Sequence, residues 1–182
     1  MKVFHVILTV VSLLCLSGCG KGPGVISPTV LLNVSYSPDT LRMPAIGWMK
    51  NIGIRYEIEN PGGQPITEEP SCLSLARLIC DSDTIVLYSQ YLDTDEKKRQ
   101  YLDENQIVIN PGGVLLPEFR GQEISVQWKW ARFNLHSNTV LSVEAAENST
   151  GAKRTMYVFC DAVINAFGGG SRRPLVVIQD EE

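Results

Sequence analysis

Histidine is nearly absent from this chain, which contains only His5 and His136. A serine or cysteine hydrolase needs a base within hydrogen-bond reach of its nucleophile, so His136 would have to supply it anywhere beyond the N-terminal segment. Residues 134–138 are typical of a loop, where a solvated histidine is the favoured interpretation. The sequence also lacks a Gly-x-Ser-x-Gly elbow and a His-Glu-x-x-His helix. We therefore expect a protein that is not an enzyme.

Clustered positive charge is scarce as well. The chain carries 16 Lys and Arg against 20 Asp and Glu, a net charge of −4. Its one basic run, residues 97–99, is flanked by acidic residues, whereas nucleic-acid binding requires a basic footprint. The glycines of residues 168–170 lack the Gly-Lys-Ser/Thr end of a phosphate loop and are expected to form a flexible connector. We expect no nucleic-acid partner and no cofactor.

Long apolar runs are limited to the N-terminus. Lys2 precedes an apolar stretch over residues 3–16, and small residues follow it. About 14 residues are too few for a helix that must cross ~30 Å of hydrocarbon, so the layout is that of a secretory signal peptide.

The tetrapeptide Leu16-Ser17-Gly18-Cys19 resembles the lipobox of bacterial lipoproteins. This resemblance implies that residues 1–18 are removed, that the Cys19 thiol is lipidated, and that residues 19–28 tether a domain to the bacterial cell envelope. Two or three acyl chains anchor stably at about 0.8 kcal/mol per buried CH₂. Gly20, rather than Asp, follows the cysteine, and by resemblance to other lipoproteins this favours sorting to the outer membrane. The alternative is an ordinary signal cleaved after Gly18 or Gly20, with Cys19 left as a plain thiol.

Three further cysteines would lie in an oxidising compartment: Cys72, Cys80 and Cys160. One disulfide and one spare thiol is the simplest arrangement. A long-range Cys80–Cys160 bridge is slightly favoured over a local Cys72–Cys80 loop, and three buried free thiols remain an alternative. Three thiols without a nearby histidine do not make a zinc site.

Residues 29–182 are predicted to form a single antiparallel β-sandwich. Ile52 to Glu59 alternates between apolar and polar residues, which is typical of a half-buried strand. Met156 to Val163 is apolar on both faces, which predicts a central strand covered on both sides. A short surface helix is predicted over residues 93–105, capped by Thr94 or Asp95. Other strands are predicted over residues 30–36, 74–81, 84–91, 107–109, 123–133, 139–146 and 174–179.

Two segments carry a family resemblance. Residues 59–63 with Pro65-Ile66, and residues 107–113, are similar to the strand-and-turn elements of bacterial immunoglobulin-like and CARDB-type adhesion domains. The similarity spans about residues 50–165. It implies an immunoglobulin-like β-sandwich and at most a scaffold or binding role, and it identifies no ligand site.

Acidic residues offer two weak metal candidates. Asp93, Asp95 and Glu104 occupy positions of an EF-hand loop, but lysines replace a ligand and the required glycine, so a solvated helix is favoured. Asp81-Ser82-Asp83 could contribute to a calcium site, although an ordinary tight turn is the better interpretation. A pair of carboxylates that hydrolyses a glycosidic bond remains an alternative.

The tryptophans suggest where a partner would bind. Trp128 and Trp130 are predicted on one face of a single strand, where core packing is favoured over an aromatic ligand platform. Trp48, with Met49, falls in an expected loop and is the better candidate for a partner contact. The sequence thus predicts a lipid-anchored envelope protein that binds or scaffolds an unknown envelope protein. The alternatives are a small carboxylate-dependent hydrolase acting on envelope glycans, and a periplasmic inhibitor or immunity-type protein.

Overall fold

The computed structural model describes residues 31–59, 72–87, 94–110, 124–164 and 167–182. Within these ranges the chain forms twelve strands and one helix. In chain order they are β1 (Leu31–Ser37), β2 (Thr40–Met43), β3 (Trp48–Glu59), β4 (Cys72–Cys80), β5 (Asp83–Val86), α1 (Asp95–Glu104), β6 (Val108–Asn110), β7 (Ile124–Trp128), β8 (Ala131–Ser137), β9 (Val140–Ala145), β10 (Arg154–Ile164), β11 (Phe167–Gly170) and β12 (Leu175–Gln179).

One layer of the fold is an antiparallel sheet in the order β1-β3-β9-β8-β7-β6. Strand β3 is long enough to pair with β9 through its first half and with β1 through its second half. Ile52 and Ile54 are buried while Asn51, Gly53 and Arg55 are exposed, as the alternation in the sequence predicts.

The second layer contains β2, β12, β10, β4 and β5 in that order. Strand β10 lies in its middle, with β4 on one edge and with β12 and β11 sharing the other edge. This confirms that β10 is a central strand. Its outer face is only partly covered, however, since Tyr157 is 40% exposed.

Strand β11 joins the two layers, because it pairs with β10 and also runs parallel to β1. An ideal Cβ on Gly169 would overlap the Leu32 carbonyl oxygen, so glycine permits the close approach of β11 to β1. The expectation of a flexible connector over residues 168–170 is therefore wrong.

A single hydrophobic core lies between the layers, and both supply it. Its largest fully buried apolar side chains are Phe133, Leu41, Met43, Ile52, Leu78, Ile85, Leu141, Met156 and Leu175. One layer contains the A-B-E-D order and the other the G-F-C order of immunoglobulin domains. Strands β7 and β6 extend the first layer beyond β8, and β5 and β2 lie at the two edges of the second. Over the described residues, the predicted all-β, immunoglobulin-like sandwich with one short helix is confirmed, and its strand pairs are antiparallel except for β1–β11 and β2–β12.

Helix α1 begins where the capping rule predicts. The Thr94 side chain accepts a hydrogen bond from the Lys97 backbone N–H, and acidic residues fill the first turn. Leu102 is buried, and the Tyr101 hydroxyl accepts a hydrogen bond from the Val86 backbone N–H on β5. The helix thereby protects an otherwise free sheet edge.

Two local predictions on β7 and β8 are wrong. Residues 123–133 do not form one strand, because a turn at Lys129 and Trp130 separates β7 from β8 and brings Trp128 opposite Ala131. Lys129 adopts φ +53°, which hairpin turns require and which the alternating sequence does not indicate for a lysine. His136 lies near the end of β8, at a register shift, and not in a loop.

The expected disulfide between Cys80 and Cys160 is not formed, since both are buried free thiols. They lie on adjacent strands, but Cys80 is opposite Met156 and Cys160 is opposite Leu75, so the register keeps them about four residues apart. Cys72 and Cys80 begin and end the nine-residue β4, which also excludes a bridge between them while the strand is formed.

Candidate functional site

Three large apolar side chains are exposed to solvent where β2 leads into β3. Ile46 is 77% exposed, Trp48 is 58% exposed and Met49 is 57% exposed. Trp48 is the first residue of β3 and does not lie in a loop, which corrects that part of the prediction. Its exposure and that of Met49 are as a partner contact requires, and Ile46 is a further exposed residue that was not named individually as a contact. We call residues 44–49, which are the connection after β2 and the first two residues of β3, the apolar loop.

The turn in the apolar loop depends on Gly47. Its backbone N–H donates to the Pro44 carbonyl (3.3 Å), and its φ of +81° lies in the left-handed region. A Cβ at this position would meet the Ala145 carbonyl oxygen at 2.6 Å. Glycine is therefore needed both for the backbone conformation and for the space.

A buried glutamine holds the loop from beneath. The Gln179 side chain is fully buried, and its Nε2 donates to the carbonyl oxygens of Pro44 (3.0 Å), Ala45 (3.2 Å) and Ala146 (2.9 Å). Its Oε1 accepts a hydrogen bond from Arg154 Nε (2.8 Å). Both ends of this amide are thus satisfied, and the loop backbone is fixed to β12 and β10.

Arg154 extends this anchor across the same end of the sandwich. Its guanidinium donates to the carbonyl oxygens of Ala146 (2.7 Å) and Glu147 (3.1 Å) and stacks 4.8 Å above the Trp130 ring. Burial lowers its pKa, but arginine stays charged at any physiological pH. The cation therefore connects the β7–β8 turn with the β9–β10 segment.

Asn148 supplies a second buried anchor. Its backbone N–H donates to the Ala45 carbonyl (2.7 Å), and its Nδ2 donates to the carbonyl oxygens of Ala152 (2.8 Å) and Asp180 (2.9 Å). Its Oδ1 accepts from the Thr150 hydroxyl (2.7 Å). The side chain is fully buried, so this network has no competition from water.

The apolar loop lies at the end of the sandwich opposite to the first described residue. Leu31 pairs with Glu59 at one end of β3, whereas Trp48 pairs with Ala145 at the other end. The twelve residues of β3 span roughly 37 Å. The segment that precedes Leu31 therefore joins the fold far from Ile46 and Trp48.

A polar cleft of about 480 Å³ is lined by residues 82–85, 104–106 and 128–129. Lys129 donates to the Asp83 carboxylate, and this hydrogen bond and the ammonium charge lower the pKa of Asp83. Within the described ranges no three His, Cys, Asp or Glu side chains are arranged to hold a metal ion. Asp81 and Ser82 form the tight turn that the sequence predicts, and Asp83 begins β5.

His136 is engaged with its neighbours. Its Nε2 lies 2.6 Å from the Ser142 hydroxyl, which in turn donates to Asn51 Oδ1 (2.6 Å). Ser142 is only 1% exposed, so its oxygen is shielded from any substrate. This row of polar side chains ties β8, β9 and β3 together. The interpretation of His136 as merely solvated is therefore incomplete.

A buried thiol lies in the second layer. The Cys160 backbone N–H donates to the Tyr36 hydroxyl (2.9 Å), and that hydroxyl donates to Ser171 Oγ (3.0 Å). Burial raises the pKa of Cys160 to about 12, so the thiol stays protonated at neutral pH. An inert structural cysteine is the chemical consequence.

No protein-family model, curated protein or solved structure matches this chain. The description of the fold therefore rests on the strand order and register of this chain alone. Among the described residues the one helix, α1, is neither long nor apolar enough to cross a bilayer. Cys19 lies outside the described residues, as do residues 60–71 and 111–123, which contain much of the adhesion-domain resemblance.

Proposed function

We propose that this protein is a lipid-anchored binding or scaffold protein of the bacterial cell envelope that contacts a partner protein through the apolar loop. The observation that carries the proposal is the combination of exposure and fixation. Ile46, Trp48 and Met49 are more than half exposed, while the backbone beneath them is held by Gln179 and Asn148.

Such a loop has the properties of an interface anchor. Tryptophan and methionine are enriched in protein interfaces, and tryptophan is prominent among residues whose truncation costs the most affinity. A loop that is already ordered loses little conformational entropy on binding, so more of its apolar burial contributes to affinity. Exposed apolar side chains of this kind without a partner would favour aggregation.

The position of the apolar loop favours a protein partner over the protein's own membrane. If Cys19 carries the lipid, residues 20–30 connect it to Leu31, at the end of β3 remote from Trp48. Eleven residues span at most about 40 Å when fully extended, and the domain itself is roughly 37 Å long in this direction. An anchored domain that stands on its Leu31 end would therefore present Ile46 and Trp48 away from the bilayer.

Site-specific photo-crosslinking in intact cells tests the partner contact. A photoreactive amino acid replaces Trp48 in one variant and the exposed Arg55 of the same strand in a matched control. We expect one discrete adduct from position 48 and none from position 55. The purified partner, identified from the adduct, should then bind the Trp48→Ala chain at least about tenfold more weakly. Equal adducts at both positions, or unchanged affinity, would contradict the proposal.

The anchor is tested separately. The Cys19→Ala variant should lose the lipid and leave the membrane fraction, and intact-mass spectrometry of the wild-type product should show acyl chains on Cys19. A wild-type protein that begins at another residue and carries no lipid would refute the anchor. That result would leave the crosslinking experiment meaningful, because the apolar loop does not depend on lipidation.

A periplasmic inhibitor or immunity-type protein is a second candidate, favoured by the exposed side chains and fixed backbone of the apolar loop. An inhibitor of this kind inserts a preorganised segment into the concave site of an enzyme. The two candidates differ in what the crosslinked partner is. An enzyme that loses activity when the wild-type chain binds, but keeps it with the Trp48→Ala chain, would identify an inhibitor.

A further inference from the structure

Strand β2 forms one edge of the second layer and carries unused backbone hydrogen-bonding groups. Among the described residues it pairs only with β12, in parallel. The carbonyl oxygens of Asp39 and Met43 accept hydrogen bonds from N–H groups on the β12 side. Because successive residues of a strand direct their backbone groups to opposite sides, the N–H and C=O groups of Thr40 and Arg42 point away from β12. We call this outward backbone the open edge.

The opposite edge of the same layer is closed by the chain itself. Strand β5 lies there, and the Val86 backbone N–H donates to the Tyr101 hydroxyl of helix α1 (2.9 Å). A free edge is a template for pairing with another chain, and proteins commonly cover it. Within the described part of the chain, no hydrogen bond covers the open edge in the same way. The two edges of this layer therefore differ in accessibility.

An extended peptide is the ligand that complements the open edge. Its own N–H and C=O groups alternate with the spacing that Thr40 and Arg42 present, so it satisfies both donors and both acceptors at once. A strand added to a sheet edge gains affinity from these main-chain bonds and specificity from its side chains. The side chains of Thr40 and Arg42 are exposed, which leaves this side of β2 accessible.

Prolines limit the open edge to a short segment. Pro38 precedes the four residues of β2 and Pro44 follows them. Proline has no backbone N–H, so it cannot donate a further ladder hydrogen bond. A short edge also resists the continuous edge-to-edge pairing that leads to aggregation. The open edge therefore fits a few residues of one added strand.

The open edge leads directly into the apolar loop. Ile46 is four residues after Arg42, which corresponds to at most about 14 Å of extended chain. Gln179 pairs with Met43 in the β2–β12 ladder, and its Nε2 donates to the Pro44 carbonyl (3.0 Å). The same residue thus holds both the edge and the loop in place. One segment of a partner can reach the backbone of β2 and the exposed side chains beside it.

We propose that the partner contacted by the apolar loop adds an extended segment to the open edge, as a further strand beside β2. This inference rests on the proposed function, because it names the form in which that partner binds. The backbone groups of Thr40 and Arg42 bond to the backbone of the added strand, and Ile46 and Trp48 pack against apolar side chains of the same partner.

Amide hydrogen exchange, followed by NMR on the full chain in detergent, tests the edge before any partner is present. We expect the amides of Thr40 and Arg42 to exchange at least about a hundredfold faster than those of Leu41 and Met43, which face β12. Equal protection at all four positions would show that the edge is already occupied. Protection that grows with protein concentration would show that a second copy occupies it. Either result would overturn the proposal.

A pair of substitutions tests the added strand in intact cells. Arg42→Pro removes the outward N–H, whereas the control Arg42→Ala removes the same side chain and keeps that N–H. Proline is tolerated at an edge position whose N–H faces solvent, so circular dichroism and the melting temperature should stay close to those of the wild type. With the photoreactive residue at position 48, the alanine chain should give the wild-type yield of adduct. The proline chain should give at least about fivefold less.

The outcomes separate this inference from the proposed function. Thr40→Pro against Thr40→Ala repeats the comparison at the second outward N–H, in case proline at position 42 disturbs the fold. Equal adduct yields from folded proline and alanine chains would refute strand addition and leave the contact at Trp48 in place. No adduct from any chain, the wild-type background included, would refute the contact itself and this inference with it.

Discussion

The Nε2 atom of Gln179 lies 3.0 Å from the carbonyl oxygen of Pro44, 135 residues earlier in the chain. This hydrogen bond connects the last strand of the fold with the loop that presents Ile46 and Trp48. Water cannot replace this hydrogen bond, because the Gln179 side chain is fully buried. The stability of the sandwich and the shape of its apolar loop are therefore coupled.

Replacement of Gln179 by methionine should destabilise the fold by about 2–4 kcal/mol. The volume is nearly conserved, but methionine can replace neither the hydrogen bonds to the three carbonyl oxygens nor the one from Arg154 Nε. Urea unfolding followed by circular dichroism measures the change. Glu181→Ala, at an exposed neighbour, is the control and should shift stability by less than about 0.5 kcal/mol. An equal effect of the two substitutions would contradict the anchoring role.

Alanine at Gly47 should cost about 2–4 kcal/mol, since the new Cβ meets the Ala145 carbonyl oxygen at 2.6 Å in a left-handed conformation. The control is Gly151→Ala, where φ is also positive at +66° but no atom lies within 4 Å. That control bears only the conformational cost, roughly 1 kcal/mol. The difference in the free energy of unfolding isolates the contact, and a difference near zero would show that the loop adapts.

Alanine at Gly169 should be among the most destabilising single changes, at about 3 kcal/mol or more. Its Cβ would overlap the backbone of Leu32, where β11 meets β1, and backbone cannot move aside as a flexible side chain can. Gly53→Ala provides the comparison, because its nearest neighbour is the Ser37 carbonyl oxygen at 3.6 Å, an ordinary contact. Thermal unfolding of the two variants should separate them by many degrees.

Truncation to alanine should change the free energy of unfolding far more at Trp128 than at Trp48. Trp128 is 2% exposed, so Trp128→Ala should cost about 3–5 kcal/mol in core packing. Trp48 is 58% exposed, and Trp48→Ala should change stability by less than about 1 kcal/mol while it removes the partner contact. Denaturant unfolding measures both. A large loss of stability in Trp48→Ala would reassign this residue to the core.

Alkali should weaken the fold through Cys160. Its pKa is about 12 in the folded protein against an ordinary value near 9, because burial disfavours the thiolate. The folded state therefore binds this proton more tightly, and the resulting stability is complete below pH 9 and is lost as the pH rises from 9 towards 12. Unfolding midpoints between pH 8 and 11 should fall accordingly.

The same burial should protect the thiols from alkylation. Cys80 and Cys160 are both buried, and burial raises the pKa of Cys80 too. Iodoacetamide at pH 8 should leave both unmodified in the native protein and modify both in urea, as read by peptide mass spectrometry. Rapid modification of Cys160 under native conditions would show that the second layer opens readily.

Local patterns were sufficient to predict β3 and α1. The alternation from Ile52 to Glu59 and the Thr94 cap are encoded within a few residues of the elements that they specify. The turn at Lys129 was missed because the tryptophans on either side continue the period of two, and only a positive φ at a lysine reveals the break. Strand β2 escaped prediction because four residues carry too little periodicity.

Only the exposed residues of the candidate site could be predicted from the sequence, not the buried residues that hold them in place. Trp48 and Met49 stand out in the sequence as large apolar residues next to a turn, and both are exposed. Gln179 and Asn148 could not be found in this way, because their partners are brought close only by the pairing of β12 with β2 and by the path of the β9–β10 segment. Contacts over more than a hundred residues leave no local pattern.

Burial of Asn148 has a consequence for its chemistry. The triplet Asn148-Ser149-Thr150 matches the acceptor sequence for N-linked glycans. In the folded chain its amide nitrogen is occupied by Ala152 and Asp180, so an oligosaccharyltransferase could reach it only before the C-terminal strand is in place. In a secretory host that glycosylates proteins, only molecules modified before folding was complete would carry the sugar. The glycosylated fraction would therefore measure how quickly the C-terminal strand folds into place.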